Sequence, residues 1–142
     1  MTHSFRILAV LLAAACIFAA CGSRENTDPE SHRGRATPFD TLDRASFNDF
    51  IRLDGIKIAE FGGKHCAPCN RMRERLTKLQ KEMPELKLGL VFWEDSPELY
   101  KDWGVTYIPV QVVFDTHGKE TARHVGEWET AEMKEAVQAA GG

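Results

Sequence analysis

The sequence predicts an α/β domain in which helices cover both faces of a mixed central β-sheet. From about residue 39 onward, segments follow one another in the order strand, helix, strand, helix, strand, helix, strand, strand, helix. Hydrophobic residues make up 43% and charged residues 27% of the 142-residue chain. This balance is typical of globular proteins and excludes disorder, collagen and coiled coil for most of the chain.

The first predicted elements lead to a pair of cysteines. Residues 39–42 are a candidate edge strand, and Ser46 begins a candidate helix that Asp54-Gly55 ends. Residues 56–61 run apolar and predict the next strand. A long helix follows Cys66, and its apolar residues recur at spacings of four, three and four: Met72, Leu76, Leu79 and Met83.

The second half of the domain supplies three strands and two helices. Residues 86–92 carry too little polarity for an exposed edge strand. Ser96-Pro97 provides an N-cap and a first-turn proline for a short helix that ends at Gly104. Three elements close the domain: a β-branched strand over residues 110–114, its hairpin partner over 120–125, and an amphipathic helix through Met133 and Val137.

Residues 1–21 have the features of an export signal. Arg6 supplies a positive charge, and the 14 residues 7–20 form an uncharged apolar run. As a helix this run would span only about 21 Å, less than the roughly 30 Å hydrocarbon core of a bilayer. We therefore interpret the segment as a signal that is cleaved.

The end of this segment resembles the bacterial lipoprotein signal, in which a cysteine is acylated and becomes the first residue of the mature chain. Ala19-Ala20 precede Cys21, although Phe18 stands where that family usually has leucine. We expect Cys21 to carry the lipid. Lipidation of Cys16, ordinary secretory cleavage and an uncleaved anchor are the alternatives.

Residues 22–38 are predicted to be a flexible tether. Ala36 is their only aliphatic residue, so the segment cannot bury enough surface to fold. A coil of this length has a root-mean-square span of about 20–25 Å, enough to hold a domain of residues 39–142 clear of a membrane. We expect a monomer on the extracytoplasmic, periplasmic side of the cell envelope, attached to the membrane by its lipid.

Charge and cysteine content exclude two further classes. Eighteen Lys and Arg against 21 Asp and Glu give a net charge of −3, and no stretch is basic enough to follow a phosphate backbone. Nucleic acid is not an expected partner. Four cysteines are too few for a disulfide-stapled protein, so apolar burial must supply the core.

The motif Cys66-Ala67-Pro68-Cys69 is the main candidate for chemistry. It stands where a strand meets a helix, so Cys66 meets unpaired backbone N–H groups and the positive end of the helix dipole, which favour a thiolate. Cys69 lies one turn into the helix, within reach of Cys66, and Pro68 stiffens the first turn. The pair can therefore close as a disulfide or open as a dithiol.

Cysteine pairs with this spacing also bind haem or zinc. Haem attachment needs a histidine after the second cysteine, where this chain has Asn70. An all-thiolate zinc site needs two more cysteines than the predicted domain contains. Zinc or copper held by Cys66, Cys69 and a histidine remains an alternative.

With these motifs, residues 39–140 resemble thioredoxin. Glu60 stands six residues before Cys66, like that family's buried acid, and residues 103–109 match the segment that carries its cis-proline. Gly126 occupies the family's usual glycine position. The resemblance implies the thioredoxin fold, no cofactor besides a redox-active disulfide, and a cis Pro109 that packs beside the cysteines. A trans proline that begins a strand fits the sequence as well.

Several positions depart from the thioredoxin pattern. His65 and Ala67 replace a Trp and a Gly that flank the first cysteine. A cationic His65 would favour the Cys66 thiolate, whereas a neutral, solvent-pointing His65 would do little. The lysine that usually pairs with the buried acid falls on Leu90 or a neighbour, so it is absent. Three cations lie close to the cysteines in the sequence: Lys64, Arg71 and Arg73. They either steer acidic partners or are simply solvated.

If Glu60 is buried, loss of solvation raises its pKa, and the carboxyl can exchange a proton with Cys69 through a water. A solvated strand residue is the alternative. We expect Cys66 to attack a substrate disulfide and Cys69 to resolve the mixed disulfide with help from Glu60.

Residues 108–119 and 123–126 resemble extracytoplasmic thioredoxin-like proteins that work with membrane electron carriers. This favours a disulfide reductase that acts on protein disulfides and is recharged by a membrane electron-donor protein. The alternatives are a thiol oxidase or isomerase and a non-catalytic Cu(I) chaperone that uses Cys66 and Cys69.

We predict that mature wild-type protein begins at an acylated Cys21. Cys21→Ala should leave an uncleaved or soluble form, whereas Cys16→Ala, the matched control, should mature normally. Mass spectrometry of the amino-terminal peptide measures both. An unmodified Cys21 thiol in the mature wild-type protein would contradict lipidation.

Overall fold

Five strands and four helices alternate through residues 39–142, the part of the chain that our computed structural model describes. The signal, lipid site and tether predicted for residues 1–38 lie outside this part. The elements are β1 (Asp40–Thr41), α1 (Arg44–Ile51), β2 (Lys57–Gly62), α2 (Ala67–Glu82), β3 (Lys87–Phe92), α3 (Pro97–Asp102), β4 (Val110–Phe114), β5 (Glu120–Val125) and α4 (Thr130–Ala140).

The strands form one mixed sheet in the order β1-β3-β2-β4-β5. β1, β3 and β2 are parallel to one another, whereas β4 is antiparallel to both β2 and β5. The predicted fold class is confirmed, and β4 and β5 have the predicted bounds. All six residues of β2 are buried because this strand has a partner on each side and a helix layer on each face.

A separate hydrophobic core lies on each face of the sheet. On one face α1 and α3 contribute Phe47 and Leu99. On the other face α2 and α4 contribute Leu76 and Met133. The prediction of helices on both faces is therefore confirmed. None of the helices between residues 39 and 142 is long and apolar enough to cross a membrane.

The prediction that α1 begins at Ser46 is wrong. Asp43 is the N-cap: its Oδ1 accepts from the Ser46 backbone N–H at 2.8 Å, and Ser46 Oγ accepts from the Asp43 N–H at 2.9 Å. Ser46 is thus the third helical residue, where its hydroxyl completes a capping box. Ser96 does precede α3, but its side chain forms no capping hydrogen bond.

Strand alternation sets which residues of β2 face the cysteines. Ala59 and Phe61 pack in the core under α1 and α3, whereas Ile58 packs under α2 and α4. Because successive strand residues point to opposite faces, Glu60 and Gly62 lie on the α2 side with Ile58. The acid predicted from the sequence is therefore buried beneath the helix that carries the cysteines.

Candidate active site

The two cysteines form a disulfide at the amino end of α2. Cys66 is the N-cap of the helix, with extended backbone, and its Sγ accepts from the Cys69 backbone N–H at 3.2 Å. The Cys66 side chain is partly exposed, whereas Cys69 is fully buried. An incoming disulfide can reach only the first sulfur, which lies at the positive end of the helix dipole.

The residues between and before the cysteines occupy their predicted positions. Ala67 and Pro68 are the first two helical residues, so the missing proline N–H costs no helical hydrogen bond. His65 is exposed on the preceding loop. Its effect on the Cys66 thiolate stays a prediction.

The segment before β4 packs beside the cysteine loop, as the resemblance implies. The Ile108–Pro109 peptide bond is cis. A Cβ built on Gly63 would lie 3.3 Å from Ile108 Cδ1 and 3.5 Å from Cys66 Cβ, so the two loops meet at this glycine. The Pro109 carbonyl accepts from the Gly126 N–H at 2.8 Å, and Gly126 has a φ of +96°, which favours glycine.

Glu60 lies at the centre of the sheet with only 1% of its surface exposed. Burial raises the pKa of its carboxyl to about 8, opposed by the Arg73 guanidinium, which lowers it. Neither carboxyl oxygen has a hydrogen-bond partner among residues 39–142. The alternative of a solvated strand residue is wrong, because β3 and β4 flank β2 and α2 covers it.

Gly62 leaves the gap between this carboxyl and the buried cysteine. A Cβ built on Gly62 would lie 3.2 Å from Glu60 Oε1 and 3.3 Å from Cys69 Sγ. The carboxyl oxygen and the sulfur therefore border the same small space. A proton can pass between the carboxyl and the sulfur through one intervening water molecule.

Two residues of this site were not recognised in the sequence. Arg73, treated there as a surface cation, turns inward, and its Nη1 lies 3.8 Å from Glu60 Oε1. Its position was detectable, because Cys69, Met72, Arg73 and Leu76 share one helical face at spacings of three, four and seven. Gln111, opposite Glu60 on β4, is fully buried. The sequence signal for Gln111 was a polar residue inside a β-branched strand.

Lys57 does not replace the missing family lysine. It is fully buried at the start of β2, and burial lowers its pKa. Its Nζ donates to the Leu53 carbonyl at 2.5 Å. Strand alternation places Lys57 on the sheet face opposite to Glu60, so it cannot serve as the partner of that carboxyl.

The other two cations near the cysteines remain on the surface. Lys64 forms an ion pair with Asp95 at 2.6 Å, and Arg71 pairs with Glu127. Both pairs are largely exposed and contribute little to stability. Steering of acidic partners by these residues stays a prediction.

Three large apolar side chains are exposed on the loops that follow β3 and precede β4. Trp93, Tyr107 and Ile108 are 54%, 75% and 39% exposed, which is unusual for side chains of this size. A cleft of about 270 Å³ lies among Trp93, Tyr100, Val105, Thr106 and Ile108.

Within residues 39–142, no group of three or more His, Cys, Asp or Glu side chains is arranged to hold a metal ion. The cysteine pair therefore has no third ligand of these types grouped with it there.

The described domain is similar to thioredoxins along almost its whole length. The thioredoxin family model matches residues 38–139. Thioredoxin of Chlamydia caviae is 33% identical over 81 residues, which cover 57% of this chain and 78% of the relative. The chain belongs to the thioredoxin family. It is a thiol–disulfide oxidoreductase with a Cys66–Cys69 redox pair, and thioredoxins act on protein disulfides.

Two further comparisons support the fold and the chemical class. The oxidised mitochondrial thioredoxin 3 of Saccharomyces cerevisiae superposes with a TM-score of 0.64 at 22% identity, over 72% of this chain and 96% of that one. A thiol:disulfide interchange protein DsbE homolog of Paracoccus denitrificans is 27% identical over 99 residues, covering 56% of this chain and 55% of the relative.

The raised pKa of Glu60 predicts how stability depends on pH. Between its ordinary value of 4.5 and about 8, the unfolded chain has released the Glu60 proton while the folded protein retains it. The contribution of this carboxyl to the free energy of unfolding is therefore fully present below pH 4.5 and is lost as pH rises through 8. Glu60→Gln should remove this loss and exceed the wild type in stability at pH 8 by on the order of 4 kcal/mol.

Urea unfolding of the oxidised protein at pH 4.5, 6 and 8 measures the difference. Glu74→Gln, the same change at an exposed position on α2, is the control and should follow the wild type. Parallel pH profiles for Glu60→Gln and wild type would mean that Glu60 is not held protonated.

Proposed function

We propose that this protein is an extracytoplasmic disulfide reductase, anchored through a lipid on Cys21 and recharged by a membrane dithiol protein. The arrangement of a partly exposed Cys66, a buried Cys69 and a buried Glu60 carboxyl is the observation that carries the exchange mechanism. The amino-terminal sequence supports export and anchoring. The similarity to a thiol:disulfide interchange protein supports exchange with protein partners.

The reaction begins at Cys66, whose thiolate is stabilised by the amino end of α2. Its sulfur attacks one sulfur of a substrate disulfide, and a mixed disulfide forms. The substrate's S–S bond breaks, and its second sulfur leaves with the electron pair as a thiolate. Only Cys66 takes this role, because Cys69 is fully buried.

Cys69 then resolves the mixed disulfide. The ionised form of Glu60, a minority of the molecules below about pH 8, accepts the proton of the Cys69 thiol, and the resulting thiolate attacks Cys66 Sγ. The Cys66–Cys69 disulfide forms while the substrate leaves as a second thiolate. Two electrons have passed from the cysteine pair to the substrate, and no cofactor beyond this pair is required.

A dithiol donor must reverse these steps to restore the reduced pair. Compartments outside the inner membrane are oxidising, so the donor has to draw its electrons across the membrane. A lipid at Cys21 followed by a 17-residue tether would keep the domain close to such a donor. The protein needs no partner copy for this cycle, and we propose that it acts as a monomer.

Glu60→Gln should slow the reduction of insulin disulfides at pH 7 by about 10²-fold, because Cys69 loses its proton acceptor. The amide keeps the size of the carboxyl, so the fold should be retained. Glu74→Gln again controls for the change in charge. A wild-type rate in Glu60→Gln would remove Glu60 from the mechanism and favour a binding role for the cysteine pair.

The direction of electron flow is tested by a redox titration. We predict that the pair, equilibrated with reduced and oxidised glutathione, has a potential more negative than about −230 mV, as a reductase requires. Alkylation followed by mass spectrometry measures the reduced fraction. A potential near the roughly −120 mV of a strong dithiol oxidant would overturn the reductase role and indicate an oxidase.

A further inference from the structure

Four buried polar atoms on two neighbouring strands have no hydrogen-bond partner among residues 39–142. They are both carboxyl oxygens of Glu60 and both amide atoms of Gln111. The two residues are directly paired across β2 and β4, and their side chains are 1% and 0% exposed. Opposed residues of antiparallel strands have Cβ atoms about 4.5–5.5 Å apart on the same face. The two side chains are therefore neighbours on one face of the sheet, and no hydrogen bond joins them in this structure.

Such a pair is costly for the fold. A buried polar group without a partner loses its hydration and gains no hydrogen bond in return. The residue that flanks Glu60 on β3 is Leu90, which shows that apolar side chains fit this layer. Stability alone would favour an apolar residue at position 111 too, so the amide is better explained by chemistry at Glu60.

Arg73 connects Glu60 to the surface. Its Nη1 lies 3.8 Å from Glu60 Oε1, a charge contact longer than a hydrogen bond. The guanidinium is held in place by the Phe92 ring, 5.6 Å from the ring centroid, and by a hydrogen bond to Asn70 Oδ1. The side chain is 18% exposed, and it stands four residues after Cys69 on the same face of α2.

The other groups around Glu60 are few in the part of the chain that the structure describes. α2 contributes Cys69 and Arg73. The buried Tyr100 hydroxyl of α3, which donates to the Gly62 and Val91 carbonyls, belongs to the core on the opposite face of the sheet. β3 and β4 face Glu60 with uncharged side chains. Arg73 is thus the positive charge closest to the carboxyl.

We propose that Arg73 and Gln111 are positioning residues for thiol–disulfide exchange: Arg73 stabilises the Glu60 carboxylate that accepts the Cys69 proton, and Gln111, paired with Glu60 across β2 and β4, supplies an amide that can turn to this carboxylate and orient it. The proposal rests on the role of Glu60 given under the proposed function. Neither residue touches the substrate or the sulfurs, and both act through Glu60.

The proton balance follows directly. The Cys69 thiol loses its proton to the Glu60 carboxylate, which becomes a carboxylic acid, and the Cys69 thiolate forms the bond to Cys66 as the substrate thiolate leaves. When a dithiol donor reduces the pair, Glu60 returns the proton to the departing Cys69 sulfur. The substrate disulfide is the oxidant and the dithiol donor is the reductant.

The test is single-turnover oxidation of the reduced protein by insulin between pH 5.5 and 9.5, with thiols counted by mass after acid quenching and labelling. Arg73→Met should move the pH midpoint that depends on Glu60 upward by about one unit and slow the reaction about tenfold at pH 7. Arg73→Lys should restore the wild-type midpoint. Lys78→Met, which removes an exposed charge from the same helix, is the matched control and should leave midpoint and rate unchanged.

Gln111→Met should slow the reaction several-fold at every pH without moving the midpoint, because orientation changes and charge does not. In a Glu60→Gln background, neither Arg73→Met nor Gln111→Met should cause any further loss. If Arg73→Met and Gln111→Met slow the reaction equally in the wild-type and Glu60→Gln backgrounds, the two residues have a purely structural role and the proposal is overturned.

The two proposals fail in different ways. A wild-type rate in Glu60→Gln alone would defeat the role of Glu60 and, with it, this inference. A slow Glu60→Gln together with wild-type Arg73→Met and Gln111→Met would leave the role of Glu60 standing and overturn only the positioning roles.

Discussion

The burial of one carboxyl group, that of Glu60, is the constraint on which the active site depends. β2 lies between β3 and β4, and α2 covers the face on which Glu60 projects. Removal of water from this carboxyl raises its pKa to about 8, within the range where a carboxyl and a thiol exchange protons readily. The same packing buries Cys69 and leaves Cys66 accessible, so the two cysteines differ in their access to a substrate.

The fold brings the remaining parts of the site to the carboxyl end of β2. The Tyr100 hydroxyl donates to the carbonyls of Gly62 and Val91, which ties the end of β2 to β3 and α3. Gly63 allows the Ile108 side chain to approach Cys66 closely. The cysteine loop and the loop before β4 thus meet beside the end of β2, and Trp93, Tyr107 and Ile108 are exposed on the loops there.

Much of this arrangement could be predicted from the sequence, because it depends on local patterns. The spacing between Glu60 and Cys66 predicts an acid near the cysteines. The β-branched run of residues 110–114 predicts strand β4. The two residues that were missed have local sequence signals, but what those signals mean depends on contacts across the fold. The depth of Gln111 follows from β4 having a partner on each side, and the inward turn of Arg73 follows from the acid beneath α2.

The charge state of Glu60 at neutral pH tests this view of the site most directly. In protein labelled with ¹³C at the glutamate carboxyl carbons, the Glu60 resonance is identified by its absence from Glu60→Gln. Burial predicts that this resonance titrates with a midpoint near pH 8 in the oxidised protein. A midpoint near the ordinary glutamate value of about 4.3 would contradict it, because such a carboxyl would carry its charge in the core throughout the neutral range.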